Sequence, residues 1–391
     1  MLILFLYIIS LCSCIASQPP RTIHFFGAED LYYFFSEDQN DQQTSKQRAF
    51  AKWGFELEYW DIARTAAQKL GYRFTTQPLP QDGSLVYGVI FCNTHGGGAY
   101  SPLPYTTQQQ FKQHYPHAKI VSILFDPHCV VPSNADPHIL NTYDLVFTGN
   151  DKLVDSRKFH KFFFSHINTD ILEPPIPFED KKFCCIIAGA KGCTYPKELY
   201  SERLKTICFF EKCAPGYLDF YGKGWETTSC VNFKTYKGIV ADKLNTLRQY
   251  KFCICYENIQ IPGYISEKIQ HCLLTGCIPI YWGAPDIEEY IPANCFINRK
   301  KFHSNEDLFY HLARMTENEY RQYLANIQVW LKSAVSKLFS PLHFAECFLK
   351  ALLPDYDRNK AFTEEQRRLL EKIDTHKRLI QINKLQKNKK S

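Results

Sequence analysis

The chain has 391 residues, of which 45% are hydrophobic and 22% are charged. This composition is typical of a globular protein with a buried core and excludes a disordered, collagen-like or coiled-coil chain. The net charge of +6 is concentrated in residues 355–391, which hold 11 basic and 6 acidic side chains. Because the rest of the chain is nearly neutral, we expect no nucleic-acid partner.

Residues 1–20 form a hydrophobic leader, MLILFLYIISLCSCIASQPP. Its apolar run is shorter than the about 20 residues that a membrane-spanning helix needs, and small residues follow it, so a secretory signal peptide is predicted. An anchor lipidated at Cys14 and a buried first strand are the alternatives. The leader therefore predicts a protein of the membrane, the secretory pathway or the cell envelope.

Short apolar runs alternate with amphipathic stretches from Arg21 onward, which is typical of α/β proteins. A proline-rich linker at 169–180 separates two such series. We expect an amino-terminal α/β domain over 21–175, a carboxyl-terminal α/β domain over 176–350 and a basic helical tail over 351–391. Strands are predicted at 22–26, 85–92, 120–125, 144–148, 183–188, 217–221, 250–256 and 277–282, and helices at 61–70, 195–210, 266–275 and 362–385.

The chain contains 16 cysteines, which we interpret mainly as buried thiols. Cys184 and Cys185, like Cys253 and Cys255, lie in short apolar runs with strand character, where a free cysteine acts as a small hydrophobic residue. No pair has the spacing of a zinc ribbon.

The segment 250–298 reads as a strand, a loop, a helix and a second strand. Glu257 and Asn258 follow the first strand, Tyr264 lies in the loop, and Glu267 and Lys268 fall in the first helical turn. Ligands of parallel sheets bind at the carboxyl ends of strands, and a helix amino terminus suits a phosphate group. Each residue alone is compatible with an ordinary surface, but together they predict a site for a phosphorylated sugar.

Four blocks of this segment resemble the α-1,3/4-fucosyltransferases, the GDP-fucose-dependent enzymes of glycosyltransferase family ten: YKFCICYEN, GYISEK, IPIYWG and IPANCFIN. The similarity extends more weakly back through ELYSER, YLDFYGKGW and IVSILFDP. It implies two Rossmann-like domains that face each other across a cleft (GT-B type), with the acceptor on the amino-terminal domain and the donor on the carboxyl-terminal one. The helical tail is added to this fold.

The resemblance also implies roles for individual residues. By position, Arg203 and Lys268 correspond to the diphosphate contacts. Asn258, Tyr264 and Glu267 correspond to contacts with the nucleotide sugar.

A catalytic carboxylate is implied after the strand IVSILF, where the family usually has Glu before Pro. This chain has Asp126 there, whose side chain is one methylene shorter. A base would take the proton of the acceptor hydroxyl while the cations stabilise the leaving diphosphate. Glu257 and Lys223 are additional candidates for donor binding.

No obligatory cofactor is expected. Metal-dependent glycosyltransferases carry an Asp-x-Asp triplet, and the one in this chain, Asp355-Tyr356-Asp357, lies in the tail. A divalent metal would therefore be at most stimulatory.

The resemblance thus implies an inverting enzyme that moves fucose from GDP-fucose to a glycan, with an N-acetylglucosamine-type acceptor and an α-1,3 linkage. Two alternatives stay open: a transferase of the same fold that uses another nucleotide sugar, and a catalytically silent carbohydrate-binding protein. The basic amphipathic end of the tail and the leader also suggest contact with a membrane surface.

Overall fold

The computed structural model describes residues 21–26, 56–75, 86–92, 110–113, 115–164, 170–172 and 176–388. The predicted leader and part of the predicted linker lie outside these ranges.

Two parallel β-sheets organise the described part of the chain. The first has six strands in the order β2-β1-β3-β4-β5-β6, and the second has five in the order β11-β10-β9-β7-β8. Their strands are rich in buried aliphatic and aromatic residues, as expected for parallel sheets covered on both faces. The strands are β1 (Arg21–Phe26), β2 (Tyr72–Thr75), β3 (Val86–Cys92), β4 (Lys119–Leu124), β5 (Leu145–Thr148), β6 (Phe159–Lys161), β7 (Lys182–Ile187), β8 (Leu218–Tyr221), β9 (Tyr250–Tyr256), β10 (Ile278–Trp282) and β11 (Ile297–Asn298).

Helices connect and cover these strands. Together they give the α/β architecture, with two Rossmann-like domains, that the sequence predicts. The helices are α1 (Glu56–Lys69), α2 (Pro137–Leu140), α3 (Tyr200–Cys213), α4 (Lys243–Arg248), α5 (Glu267–Leu274), α6 (Asn305–Arg314), α7 (Glu317–Lys332), α8 (Pro341–Leu352), α9 (Arg358–Ala361) and α10 (Glu364–Asn388).

Helix α3 begins five residues later than the predicted start at Tyr195. The segment before it is a turn, in which Glu198 forms an antiparallel bridge with Ile259 and the Lys197 carbonyl accepts a hydrogen bond from the Gln260 N–H at 3.0 Å. Lys197 also has a φ of +67°, which does not fit a helix. These contacts join α3 to the loop after β9.

Helix α8 returns to the amino-terminal sheet, although the predicted boundaries place it in the carboxyl-terminal domain. Its Phe344 and Phe348 make edge-to-face contacts with Trp60 of α1 at centroid distances of 5.1 and 5.5 Å, and Phe348 also packs on Phe147 of β5. Aromatic contacts of this kind add to the burial of apolar area. Helix α8 therefore packs against the amino-terminal domain.

The tail is helical, as predicted. Thr363 and Gln366 form the expected capping box, with the Thr363 N–H donating to Gln366 at 2.9 Å and the Gln366 N–H donating to Thr363 at 3.3 Å. Leu370 and Ile373 of α10 are fully buried, whereas Leu379, Ile382 and Leu385 are about half exposed or more. The helix therefore packs along its first half and extends into solvent along its second.

The cysteines that the structure describes are free, and most are buried. Cys184, Cys185, Cys253 and Cys255 all lie in the core, at 4% exposure or less. This confirms their interpretation as core thiols.

Candidate active site

The carboxyl end of β9 meets the amino ends of α3 and α5, and most of the predicted donor-site residues lie at this corner. Arg203, in the first turn of α3, is only 4% exposed. Its Nη2 donates to the backbone carbonyl of Tyr256 at 2.6 Å and to Oδ1 of Asn258 at 2.9 Å. The Leu199 N–H donates to the Asn258 carbonyl at 3.0 Å. Arg203 is therefore a buried cation fixed at the end of β9.

Glu257 is a fully buried carboxylate that organises the first turn of α5. It accepts hydrogen bonds from the N–H of Ser266 at 2.8 Å and from its hydroxyl at 2.7 Å, and its Oε2 lies 3.5 Å from Lys268 Nζ. Ser266 in turn caps the helix, because its Oγ accepts from the Lys268 N–H at 3.3 Å. A Cβ on Gly283 would lie 2.5 Å from Cγ of Glu257. Glu257 thus holds Lys268 and the helix cap in place.

The corner carries an excess of positive charge. Lys243, the first residue of α4, lies 3.5 Å from Glu267, and Lys268 lies 3.9 Å from the same carboxylate. Three cations, Arg203, Lys243 and Lys268, therefore face two carboxylates, Glu257 and Glu267. The three cations line a small cavity together with Tyr256, Cys253 and Cys255. Sequence reasoning missed Lys243, because no local motif marks it.

Both central cations keep their charge at neutral pH. Burial lowers the pKa of Arg203, and the nearby Glu257 acts in the opposite direction. Burial also acts to lower the pKa of Lys268, but Glu267 and Glu257 outweigh it and leave that pKa above its usual value. Arginine stays protonated in proteins in any case.

The loop before α5 is fastened to the amino-terminal domain. Lys161 Nζ donates to the Gly263 carbonyl at 2.8 Å and forms an ion pair with Asp151 at 2.6 Å. Gly263 has a φ of +74°, and a Cβ there would overlap the Asp151 carboxylate. The glycine of GYISEK was the signal in the sequence, but its partners Asp151 and Lys161 were missed. This contact sets the position of the next residue, Tyr264.

Tyr264 and Asp126 lie on opposite sides of the cleft. Tyr264 is 5% exposed, and its hydroxyl donates to the Phe125 carbonyl at 3.3 Å. Burial raises the pKa of Tyr264 well above its usual value, and the carboxylates of Glu257 and Asp126 raise it further. Asp126 is partly exposed just beyond β4, and its backbone carbonyl accepts from Asn134 at 2.7 Å. The carboxylate of Asp126 is thus close to the donor corner.

Lys223 lies apart from this cluster. It is exposed and follows β8, the edge strand that β7 separates from β9. Its backbone carbonyl accepts from the Ala190 N–H at 2.9 Å.

The Asp-x-Asp triplet has structural partners. Asp355 accepts hydrogen bonds from Tyr72 and Arg21, both at 2.6 Å, and Asp357 caps α9 through the Asn359 N–H. Among the described residues, no group of three or more His, Cys, Asp or Glu side chains is arranged to hold a metal ion. The metal-free donor site stays a prediction.

Chemically, the corner is suited to a polyanion. The first turns of α3 and α5 supply the positive ends of two helix dipoles. Arg203 and Lys268 add two formal charges beside them. A diphosphate fits this combination of charges.

The carboxyl-terminal part of the chain is similar to known proteins. The model of the family "Glycosyltransferase family 10 (fucosyltransferase) C-term" matches residues 200–352. GDP-fucose protein O-fucosyltransferase 3 of Xenopus laevis is 35% identical over 81 residues, which cover 20% of this chain and 17% of that relative. Alpha-(1,3)-fucosyltransferase 7 of Homo sapiens is 28% identical over 195 residues, which cover 49% of this chain and 50% of that relative. The matches thus span half or less of these relatives.

Among solved structures, an α1,3-fucosyltransferase with GDP superposes with a TM-score of 0.52 at 16% identity, covering 88% of this chain and 93% of that chain. This similarity confirms the predicted fold, two Rossmann-like domains of the GT-B type. The family match covers the strands and helices that form the donor corner, from α3 to α8. Residues 200–352, which form this part of the carboxyl-terminal domain, are thus similar to the carboxyl-terminal domain of glycosyltransferase family 10, the fucosyltransferases.

Proposed function

We propose that the chain is an inverting transferase that moves fucose from GDP-fucose to a hydroxyl group of a glycan. The observation that carries this proposal is the pair of cations, the buried Arg203 and the partly buried Lys268, at the amino ends of two helices beside β9. The names of the relatives, which specify GDP-fucose or an α-(1,3) linkage, support GDP-fucose as the donor and an α-1,3 linkage in the product. An N-acetylglucosamine-type acceptor is part of the proposal.

In the proposed reaction, the charges on the two sides of the cleft have separate tasks. Arg203, Lys268 and the N–H groups of α5 stabilise the negative charge that develops on the leaving diphosphate. Asp126 takes the proton from the acceptor hydroxyl as its oxygen attacks the anomeric carbon from the opposite side. Asn258 and Glu267 can bind donor hydroxyl groups, and Tyr264 separates the two sides.

Release of GDP tests this function. The full chain is incubated with GDP-fucose and an N-acetyllactosamine-type acceptor, and GDP release is compared with UDP release from UDP-galactose. We expect acceptor-dependent release of GDP and none of UDP. Release of UDP alone would identify a different donor, and failure to release either nucleotide despite GDP binding would indicate a carbohydrate-binding protein.

We also propose that the protein works at a membrane of the secretory pathway or cell envelope. The end of α10 exposes the side chains of Leu379, Ile382 and Leu385, and its sequence over 377–388 has four basic residues and no acidic one. Such a surface can bind anionic lipid. In the described part of the chain, no helix is long and apolar enough to cross a membrane. Sedimentation with phosphatidylserine vesicles but not with phosphatidylcholine vesicles would support this contact, and equal sedimentation would contradict it.

A further inference from the structure

Two cysteines from different domains meet beside the candidate base. Cys129 lies three residues after Asp126 and is 8% exposed, and Cys193 lies in the loop between β7 and α3 and is partly exposed. Cys193 packs against the core cluster that contains Cys129, and burial together with the neighbouring Cys193 thiol raises the pKa of Cys129.

The residues around this thiol pair hold the two loops together. His128 of the amino-terminal domain makes an edge-to-face contact with Tyr195 of the carboxyl-terminal domain, at a centroid distance of 5.0 Å. Tyr200 contacts Cys129 from α3, and the guanidinium of Arg203 lies 5.0 Å from the centre of the Tyr200 ring. Cys129 therefore lies near the donor cation, three residues after the candidate base.

We propose that Cys129 and Cys193 are an oxidative modification site, at which a disulfide joins the two domains across the cleft. The structure has both thiols in the reduced form. The oxidant is a small disulfide such as glutathione disulfide, and the product is one protein disulfide with two molecules of glutathione. The protein loses two electrons and two protons, which the glutathione disulfide takes up.

The exposure of the two thiols sets the order of the steps. The more accessible Cys193 attacks glutathione disulfide as a thiolate, which forms a mixed disulfide and releases the first glutathione. Cys129 then loses its proton and attacks the sulfur of Cys193, which releases the second glutathione. Burial raises the pKa of Cys129 to about 12, in agreement with its role as the second thiol to react.

Peptide mapping tests the cross-link directly. The full chain is equilibrated with glutathione disulfide, alkylated and digested without reduction, and the peptides are identified by mass spectrometry. We expect a peptide linked through Cys129 and Cys193 that dithiothreitol separates. It should be absent from Cys193→Ser and Cys193→Ala and present in Cys213→Ser, which removes an exposed thiol at the end of α3.

Two outcomes would overturn the proposal. One is alkylation of both thiols after equilibration. The other is a mixed disulfide that persists at Cys193 while Cys129 is alkylated. The cross-link test needs no enzymatic activity, so its outcome is independent of the proposed function.

The cross-link should also slow nucleotide exchange, a consequence that rests on the proposed function. A covalent tie across the cleft restricts opening, so GDP should leave the oxidised chain at least about tenfold more slowly than the reduced chain. Cys193→Ser should show no such change with the same oxidant. Equal rates in a chain shown to be cross-linked would contradict the restricted opening, whereas failure of the reduced chain to bind GDP would contradict the proposed function instead.

Discussion

The two sides of the cleft are built in different ways. On the carboxyl-terminal side, the charged groups are bonded to polar partners around two buried members, Arg203 and Glu257. Arg203 bonds to Asn258, and Glu257 bonds to Ser266 and pairs with Lys268. On the amino-terminal side, the candidate base is a partly exposed aspartate just beyond the end of β4.

This difference has a physical reason. A site that binds a diphosphate gains from cations held rigidly in advance, because their interactions are then made without reorganisation. A base that must receive different acceptor hydroxyls needs access from solvent. The family model matches residues 200–352, the donor side, and does not extend to Asp126.

The largest effect is expected on the exposed side. Asp126→Asn keeps the shape of the side chain but removes the proton acceptor, so kcat should fall at least about a hundredfold. The affinity for GDP, measured by calorimetry, should be nearly unchanged. Asp126→Glu, with the family's usual side-chain length, should retain substantial activity. Turnover of Asp126→Asn at the rate of the parent would place the base elsewhere.

The next effect is expected on the buried side. Charge-assisted hydrogen bonds contribute roughly 1.5–3 kcal/mol each, so Lys268→Ala should weaken GDP binding by about tenfold to a hundredfold. The matched control is Lys205→Ala, since Lys205 is 66% exposed and lies on the same helix as Arg203. Unchanged GDP affinity in Lys268→Ala would remove this lysine from the donor site.

Lys243 should matter less than Lys268. It is one-third exposed and lies 3.5 Å from Glu267, so solvent screens its charge. Lys243→Ala should therefore weaken GDP binding by less than about tenfold. A loss as large as that of Lys268→Ala, in the same calorimetric titration, would show that α4 supplies a principal phosphate contact.

The smallest effect is expected from removal of metal ions. With the leaving charge neutralised by side chains and helix termini, millimolar chelator should leave turnover nearly unchanged. Loss of activity that Mn²⁺ restores would show that a metal ion completes the donor side.

The same comparison explains how much of the molecule could be predicted. The donor corner is continuous in sequence: β9 was predicted to the residue, and α5 nearly so, because Ser266 caps its start and Gly276, with a φ of +63°, follows its end. Strong local signals of this kind need no tertiary context. Six of the eight predicted site residues lie at or around this corner, and Asp126 lies across the cleft from it.

Contacts between distant segments could not be predicted. The Lys161 contact with the Gly263 carbonyl spans 102 residues, and the return of α8 to the amino-terminal sheet depends on aromatic packing against α1. Lys243 joins the corner through the placement of α4. These positions are set by the packing of elements, which periodicity and capping signals do not encode.

A crystal structure of the chain with GDP would test the account most directly. We expect the diphosphate oxygens within about 3 Å of Arg203, Lys268 and the first N–H groups of α5, with Lys268 turned from Glu257 toward the phosphate. Asp126 should face the position next to the β-phosphate, where the sugar would lie. GDP bound elsewhere, with the pairs of Arg203 and Lys268 unchanged, would contradict the account.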